Sequence, residues 1–350
     1  GRVWDGPWPV DVMAAARAAA APMMGLVARR RGWCLGGGGA REAAMRHIAA
    51  GATTPRLMRS EVSDITFHFA IEEYLMQKAP VTGPLLYLWR PAPVVTIGRH
   101  QNPWKECKLA QLEADGVGLV RRRSGGGCIF QDLGCSVFTF IAPSAMFNID
   151  RNLDIVLGAL KRCGVEAEKK GRNDLVFEGR KISGSAFKHA PDRGVSLHHG
   201  TVLVDTDLQA LQRYLTPDKR KLQAKGISSV GARVMNLRER FGSLEHQGIC
   251  DAFIEEFRQV EGAQGVEVET IDERSAMCET PDFLGLRAEL ESAEWRLGRT
   301  PDFSHQLETR IDGVGVFDIR LEVVGGKIKE AVIFSDALFP DVIDEAMRVL

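Results

Sequence analysis

Apolar residues along the chain fall into short runs whose period keeps changing, and those changes lay out the elements. Phe67, Ile71, Tyr74 and Leu75 recur at helical spacing behind Ser63 and Asp64, two residues that accept from open first-turn amides, so a helix is predicted there. Leu85–Trp89 and Pro93–Ile97 are β-rich runs set apart by Pro91 and Pro93. The pattern then predicts a helix over Trp104–Asp115, stopped by Gly116, and a strand over Gly118–Arg122. Beyond a triglycine turn, Cys128–Phe130 and Cys135–Ala142 read as strands. Ile149–Cys163 places Leu153, Val156, Leu157 and Leu160 on one helical side, with Gly164 as its stop.

Leu175–Phe177 and Lys181–Ser183 flank Glu178-Gly179-Arg180 as a hairpin, and Thr201–Val204 reads as a further strand. Thr216-Pro217 opens a short helix, Cys250–Val260 is helical, and Gly262–Gly265 resembles a linker. A second hairpin pairs Gly313–Val324 with Lys327–Phe334 around Gly325-Gly326, ahead of a helix over Pro340–Leu350. Strands outnumber helices and seldom alternate with them. The expected class is therefore α+β: a mostly antiparallel sheet domain over 55–262 and a smaller α+β domain over 263–350.

The first 54 residues break the pattern. Val12–Arg41 holds Arg17, Arg29, Arg30, Arg31 and Arg41 without one acidic residue, in an alanine- and glycine-rich context. Such composition matches a mitochondrial targeting segment, although Trp4 and Trp8 suit one poorly, and a cytoplasmic location is the alternative. A net charge of -1 over 350 residues gives no reason to expect nucleic-acid or membrane binding. The seven cysteines form no C-x-x-C pair, which points to reduced thiols rather than a zinc site.

Three segments carry candidate chemistry. Arg121-Arg122-Arg123-Ser124-Gly125-Gly126-Gly127 offers bare backbone amides beside fixed cations, a combination suited to phosphate or carboxylate oxygens. It matches neither the P-loop nor the dinucleotide pattern, and by itself a basic surface turn is the alternative. In Gly171–Asp174 and Arg180–Ala186, Asp174 could hold Mg²⁺ and Lys181 could meet developing negative charge; an ordinary polar hairpin is the bland reading. His198 and His199 must point to opposite sides of an extended chain, so one of them lines a pocket at most. A basic stretch over Lys219–Val230 suggests a solvated face or a flap over a charged ligand. Cys128 and Cys135 are expected to be structural thiols.

In this order the segments resemble the lipoate–protein ligase family. The resemblance runs through His68–Glu73, Val95–Trp104, the Arg-Ser-triglycine stretch, Gly171–Leu175, Arg180–Ala186, His198–Thr201 and Ala224–Val230, and returns at Ile333–Leu338. It implies a biotin/lipoate ligase-type catalytic domain with a C-terminal accessory domain. The implied reaction is ATP-dependent activation of lipoate to lipoyl-AMP, followed by transfer to a lysine of a lipoyl domain. The acceptors would be 2-oxoacid dehydrogenase acyltransferase subunits and the glycine-cleavage H protein, and the enzyme a monomer. A lipoyltransferase without its own ATP step is the alternative.

Carried onto this chain, the resemblance makes Lys181 the central lysine. Arg122, Ser124, Gly126, Gly127, Cys128, Ile129 and Phe130 would contact the adenylate, with Ser183 and His199 in the pocket. Asn173 and Asp174 would serve phosphate and Mg²⁺, while Trp89 and Val95 would line a tunnel for the acyl chain. Gln131, Cys135 and His68 depart from the family pattern, and Gln131 cannot titrate near neutrality.

Overall fold

The computed structural model describes residues 54–216, 234–298, 305–311, 313–324 and 327–349. In chain order its first elements are β1 (Arg56–Arg59), α1 (Ile65–Gln77), β2 (Leu85–Trp89), β3 (Val94–Ile97), α2 (Pro103–Glu106), α3 (Leu109–Ala114) and β4 (Gly118–Arg121). There follow β5 (Ile129–Gln131), β6 (Cys135–Pro143), α4 (Ile149–Arg162), β7 (Glu168–Lys170), β8 (Asp174–Phe177), β9 (Arg180–Ala190) and β10 (Val195–Leu203). Next come α5 (Ala210–Tyr214), α6 (His246–Glu261), β11 (Val268–Thr270), α7 (Pro281–Glu291) and α8 (Ala293–Leu297). The chain closes with β12 (His305–Ile311), β13 (Gly315–Val324), β14 (Lys327–Ser335) and α9 (Pro340–Val349).

Among the described residues, eight strands form one sheet in the order β11-β1-β2-β6-β10-β9-β8-β7, with small sheets β4-β3-β5 and β12-β13-β14 beside it. Most neighbouring pairs are antiparallel; β1 with β2, β1 with β11 and β3 with β4 are parallel. The class is α+β, as the pattern of runs implied.

Strand alternation divides the central residues between two cores. Leu86, Leu88, Phe138, Phe140 and Val202 face Leu153, Val156, Ile249, Phe253 and Phe257 of α4 and α6. Their immediate neighbours Leu85, Tyr87, Trp89, Val137, Ile141 and Leu197 face Phe67, Ile71 and Leu75 of α1, with Phe283 and Leu290 of α7 behind. Both faces of the sheet are covered, so β2 is buried at every position. That burial hides the alternation from a reading of the sequence.

Several expected elements change on folding. The helix expected over Trp104–Asp115 splits at Cys107, which is extended (φ -130, ψ 150) and bridges Leu215. Lys108 N–H donates to Tyr214 C=O (2.9 Å) in the same place. This pairing outweighs helix propensity. β9 and β10 run much longer than Lys181–Ser183 and Thr201–Val204. The chain beyond the expected boundary at 262 returns to the first unit, β11 pairing with β1 and Phe283 of α7 meeting Phe67 (centroids 5.8 Å). The expected helix at Pro217, the Lys219–Val230 segment, the Gly325-Gly326 turn and the N-terminal extension lie outside the described residues.

Candidate active site

One side chain of α1 organises the pocket. Asp64 caps the helix by accepting from Thr66 N–H (2.8 Å), and among the residues the helix buries are two carboxylates, Glu72 and its neighbour Glu73. A buried carboxylate needs partners. Glu72 has two: Thr139 Oγ1 donates to it (2.6 Å), and His199 Nδ1 lies 3.0 Å from Oε2. A carboxylate only accepts, so Nδ1 carries a proton, and Nε2 lies 2.7 Å from the Ser124 hydroxyl. Arg122 Nε in turn donates to Ser124 Oγ (3.1 Å). The result is a linked chain, Arg122 to Ser124 to His199 to Glu72, whose last three members stand in the wall of a narrow cavity that Phe69, Leu197 and Leu290 also line. Beside it, Glu73 is held by Lys188 Nζ at 2.5 and 2.6 Å.

The triglycine turn is shaped from within. The Arg122 guanidinium donates to the carbonyls of Gly125 (2.7 Å) and Gly127 (2.8 Å), and burial lowers its pKa to about 10. The three glycines have different reasons to lack a side chain. A Cβ on Gly125 would lie 2.1 Å from Ala337 O of the C-terminal unit. Gly126 has φ +95, left-handed backbone that glycine favours. Gly127 has open space around it. Gly126 N–H donates to Ala337 O (3.0 Å), and Ser335 N–H to His100 O (2.8 Å), so the C-terminal unit sits directly on this turn.

Lys181 stands where β8 turns into β9 through Glu178 (φ 49) and Gly179 (φ 74), consecutive left-handed residues of a tight hairpin. Its Nζ lies 2.7 Å from Asp174 Oδ1, and Met235 N–H donates to its carbonyl (3.0 Å). Gly184 makes room: a Cβ there would approach Lys181 Nζ to 2.6 Å. Two residues along the same face of β9, Ala186 Cβ would lie 3.8 Å from a Cβ on Gly126. The glycine turn and the lysine therefore share one strand face, with Gly184 and Ala186 roughly 7 Å apart. His199, directly opposite Ala186 in β10, joins them.

Other expected residues go elsewhere. Arg122 spends its donors bracing the turn. Phe130 is buried with Val95, Ile97 and Tyr214 under the small sheet, so neither Phe130 nor Val95 joins Trp89, which packs with α1 in another core. Ile129, opposite Thr96, is half-buried. Ser183 pairs with Leu175 and Val202, both members of the core under α4 and α6; alternation turns it away from the pocket. Asn173 gives its side-chain amide to Ser185 O (2.5 Å) and fastens β8 to β9. Cys128 lies against Cys107, 3.6 Å between sulfurs. The departures at Gln131 and His68 are structural: Gln131 accepts from Thr96 Oγ1 (2.9 Å), and His68 bridges Tyr87 and Val62 O (2.6 and 2.7 Å).

Glu72, Thr139 and Lys188 were not singled out from the sequence. Glu72 and Glu73 left a signal, as adjacent carboxylates in a mostly apolar helix. Thr139 and Lys188 left none, since only strand register brings them to this face.

The catalytic unit and the accessory unit each match a known family. Residues 64–258 match the lipoyl protein ligase A/B catalytic domain, and residues 300–350 the bacterial lipoate protein ligase C-terminus. The chain belongs to the lipoyl protein ligase family. It is 43% identical over 293 residues to lipoate-protein ligase A of Psychrobacter cryohalolentis, spanning 83% of this chain and 85% of that one. The structure of P. falciparum LipL1 in complex with lipoate is 32% identical, covers 85% of this chain and 89% of its own, and superposes with a TM-score of 0.76. The bipartite lipoate protein ligase of Thermoplasma acidophilum, studied with its E2 lipoyl domain, shares the fold at 23% identity and a TM-score of 0.58, covering 71% of this chain and 99% of its own.

Proposed function

We propose that this enzyme activates lipoate with ATP to lipoyl-AMP and transfers the lipoyl group to a lysine of a lipoyl-domain protein. The observation that carries this reading is the convergence of the triglycine turn and Lys181 on one face of β9. A carboxylate is a poor electrophile. Its attack on the α-phosphate of ATP expels pyrophosphate and leaves a mixed anhydride with AMP. The Gly127 backbone and the Lys181 ammonium stabilise charge on that phosphoryl group, and Lys181 polarises the acyl carbonyl when the acceptor amine attacks and AMP departs. The Glu72–His199–Ser124 chain fixes the wall that Phe69, Leu197 and Leu290 share.

Mg²⁺ fits as a partner of the nucleotide rather than as a resident ion. The described residues contain no group of three or more His, Cys, Asp or Glu able to hold a metal, but Asp174 is a partly exposed carboxylate beside Lys181. One carboxylate with phosphate oxygens is a usual Mg²⁺ environment, and the ion would neutralise phosphate charge. The acid-free, arginine-rich stretch over Val12–Arg41 supports mitochondrial targeting. Lipoyl domains of 2-oxoacid dehydrogenase complexes and the glycine-cleavage H protein are the acceptors we propose for a monomeric enzyme. Lipoate-dependent ATP–pyrophosphate exchange tests the reading. Exchange is expected; transfer of preformed lipoyl-AMP without exchange would replace the ligase by a transferase.

A further inference from the structure

We infer that Cys107 and Cys128 form an oxidisable dithiol site that governs the nucleotide-binding turn. The role of the turn rests on the function proposed above; the chemistry of the pair does not. Six cysteines lie among the described residues, all with free thiols, and their one sulfur–sulfur contact is Cys107 to Cys128 at 3.6 Å. A disulfide bond is ~2.05 Å long, so the sulfurs must close by roughly 1.5 Å.

The two cysteines differ in exposure. Cys107 is buried and tied down, its N–H donating to Pro103 O (2.9 Å) and its backbone bridging Leu215. Cys128 is half-buried and follows Gly127 directly, so closing the pair draws on the exit of the turn. Gly127 is the glycine with open space, where a ligand can approach the main chain. A cross-link would pin the exit of the turn to the α2–α3 junction and fix Gly127 away from the geometry that phosphate requires.

A low-molecular-weight disulfide balances the chemistry. The Cys128 thiolate attacks one sulfur of oxidised glutathione and expels glutathione thiolate, leaving a mixed disulfide. The Cys107 thiolate then attacks Cys128 Sγ and expels the second glutathione. Both cysteine protons end on the two released thiols. Burial raises the Cys128 pKa, which slows the first attack, since the thiolate is the nucleophile. Gly127, beside Cys128, has open space on the proposed nucleotide side, so bound ATP should shield the pair.

The test treats the full-length enzyme with oxidised glutathione, with and without ATP, and follows peptide masses and lipoate-dependent pyrophosphate exchange. The expected products are a peptide joining residues 107 and 128, lighter by the mass of two hydrogens, and exchange reduced at least about tenfold, as ångström-scale misplacement costs rate. Dithiothreitol should restore exchange, and Cys107→Ala should retain basal exchange and resist inhibition. Absence of the joined peptide overturns the dithiol site. A joined peptide with undiminished exchange overturns its control of the turn. Should reduced enzyme show no exchange, the proposed function fails while the peptide map still decides the site.

Discussion

At the scale of single residues, identical letters hold different tasks. Gly125, Gly126 and Gly127 are indistinguishable in sequence, yet one seats the C-terminal unit, one adopts φ +95, and one faces open space. Gly127→Ala is therefore expected to keep the wild-type melting temperature and raise the KM for ATP. Gly125→Ala, which drives a methyl into Ala337 O, should lower the melting temperature; differential scanning calorimetry with exchange kinetics separates the two. Lys181→Ala should leave the fold intact by circular dichroism and cut pyrophosphate exchange at least about 10²-fold, the scale of losing one preorganised charge partner. Near-normal turnover would remove Lys181 from the mechanism. The structure brings Lys181, Asp174 and the glycine turn, which the motifs singled out, to one face of β9. Ser183 and Phe130 face cores away from it, which a motif alone cannot show because it does not phase the alternation.

At the scale of elements, burial from both sides erased signals. β2 shows no alternation, although Leu86 and Leu88 serve one core while Leu85, Tyr87 and Trp89 serve the other. Helix α1 is buried on nearly every face, so its inward stripe could not be told from its outward one. Arg121 explains another gap. Its guanidinium donates to the carbonyls of Gly98, Arg99 and Gln101 on one side and of Trp295 and Arg296 on the other, at 2.7 to 3.2 Å. It thus fastens the loop after β3 to the end of α8, where carbonyls lack helical partners. Lysine cannot reproduce that fork. Arg121→Lys is expected to cost about 2 kcal/mol, as buried carbonyls lose their donors, and urea denaturation would measure it.

For the whole molecule, buried imidazoles set the response to acid. Burial lowers the pKa of His68, His100 and His198 to about 3 and of His246 to about 4, from 6.5. His198 is enclosed by Phe138, Phe140 and Phe187. Because the folded pKa values are depressed, the unfolded chain binds more protons below pH 6.5. Stability is then complete above that value and falls as the pH drops towards 4 and 3. Melting temperatures should hold level from pH 7.5 to about 6.5 and decline from there to pH 4.5, and His198→Phe should flatten that slope; a wild-type profile flat throughout would contradict the assignment.

Sequence alone determined the class of fold, the hairpin that carries Lys181, the glycine turn and the likeness to lipoate ligases. Each depends on local properties: period, turn chemistry, or residue types at short spacing. Tertiary structure decided which histidine faces the pocket, that Glu72 anchors it, that Cys107 breaks a helix to meet Cys128, and that the C-terminal unit rests on Gly125. Those outcomes depend on strand register and on contacts between residues far apart in the chain. No local pattern encodes them, because the free energy that fixes them belongs to the packed pair rather than to either residue.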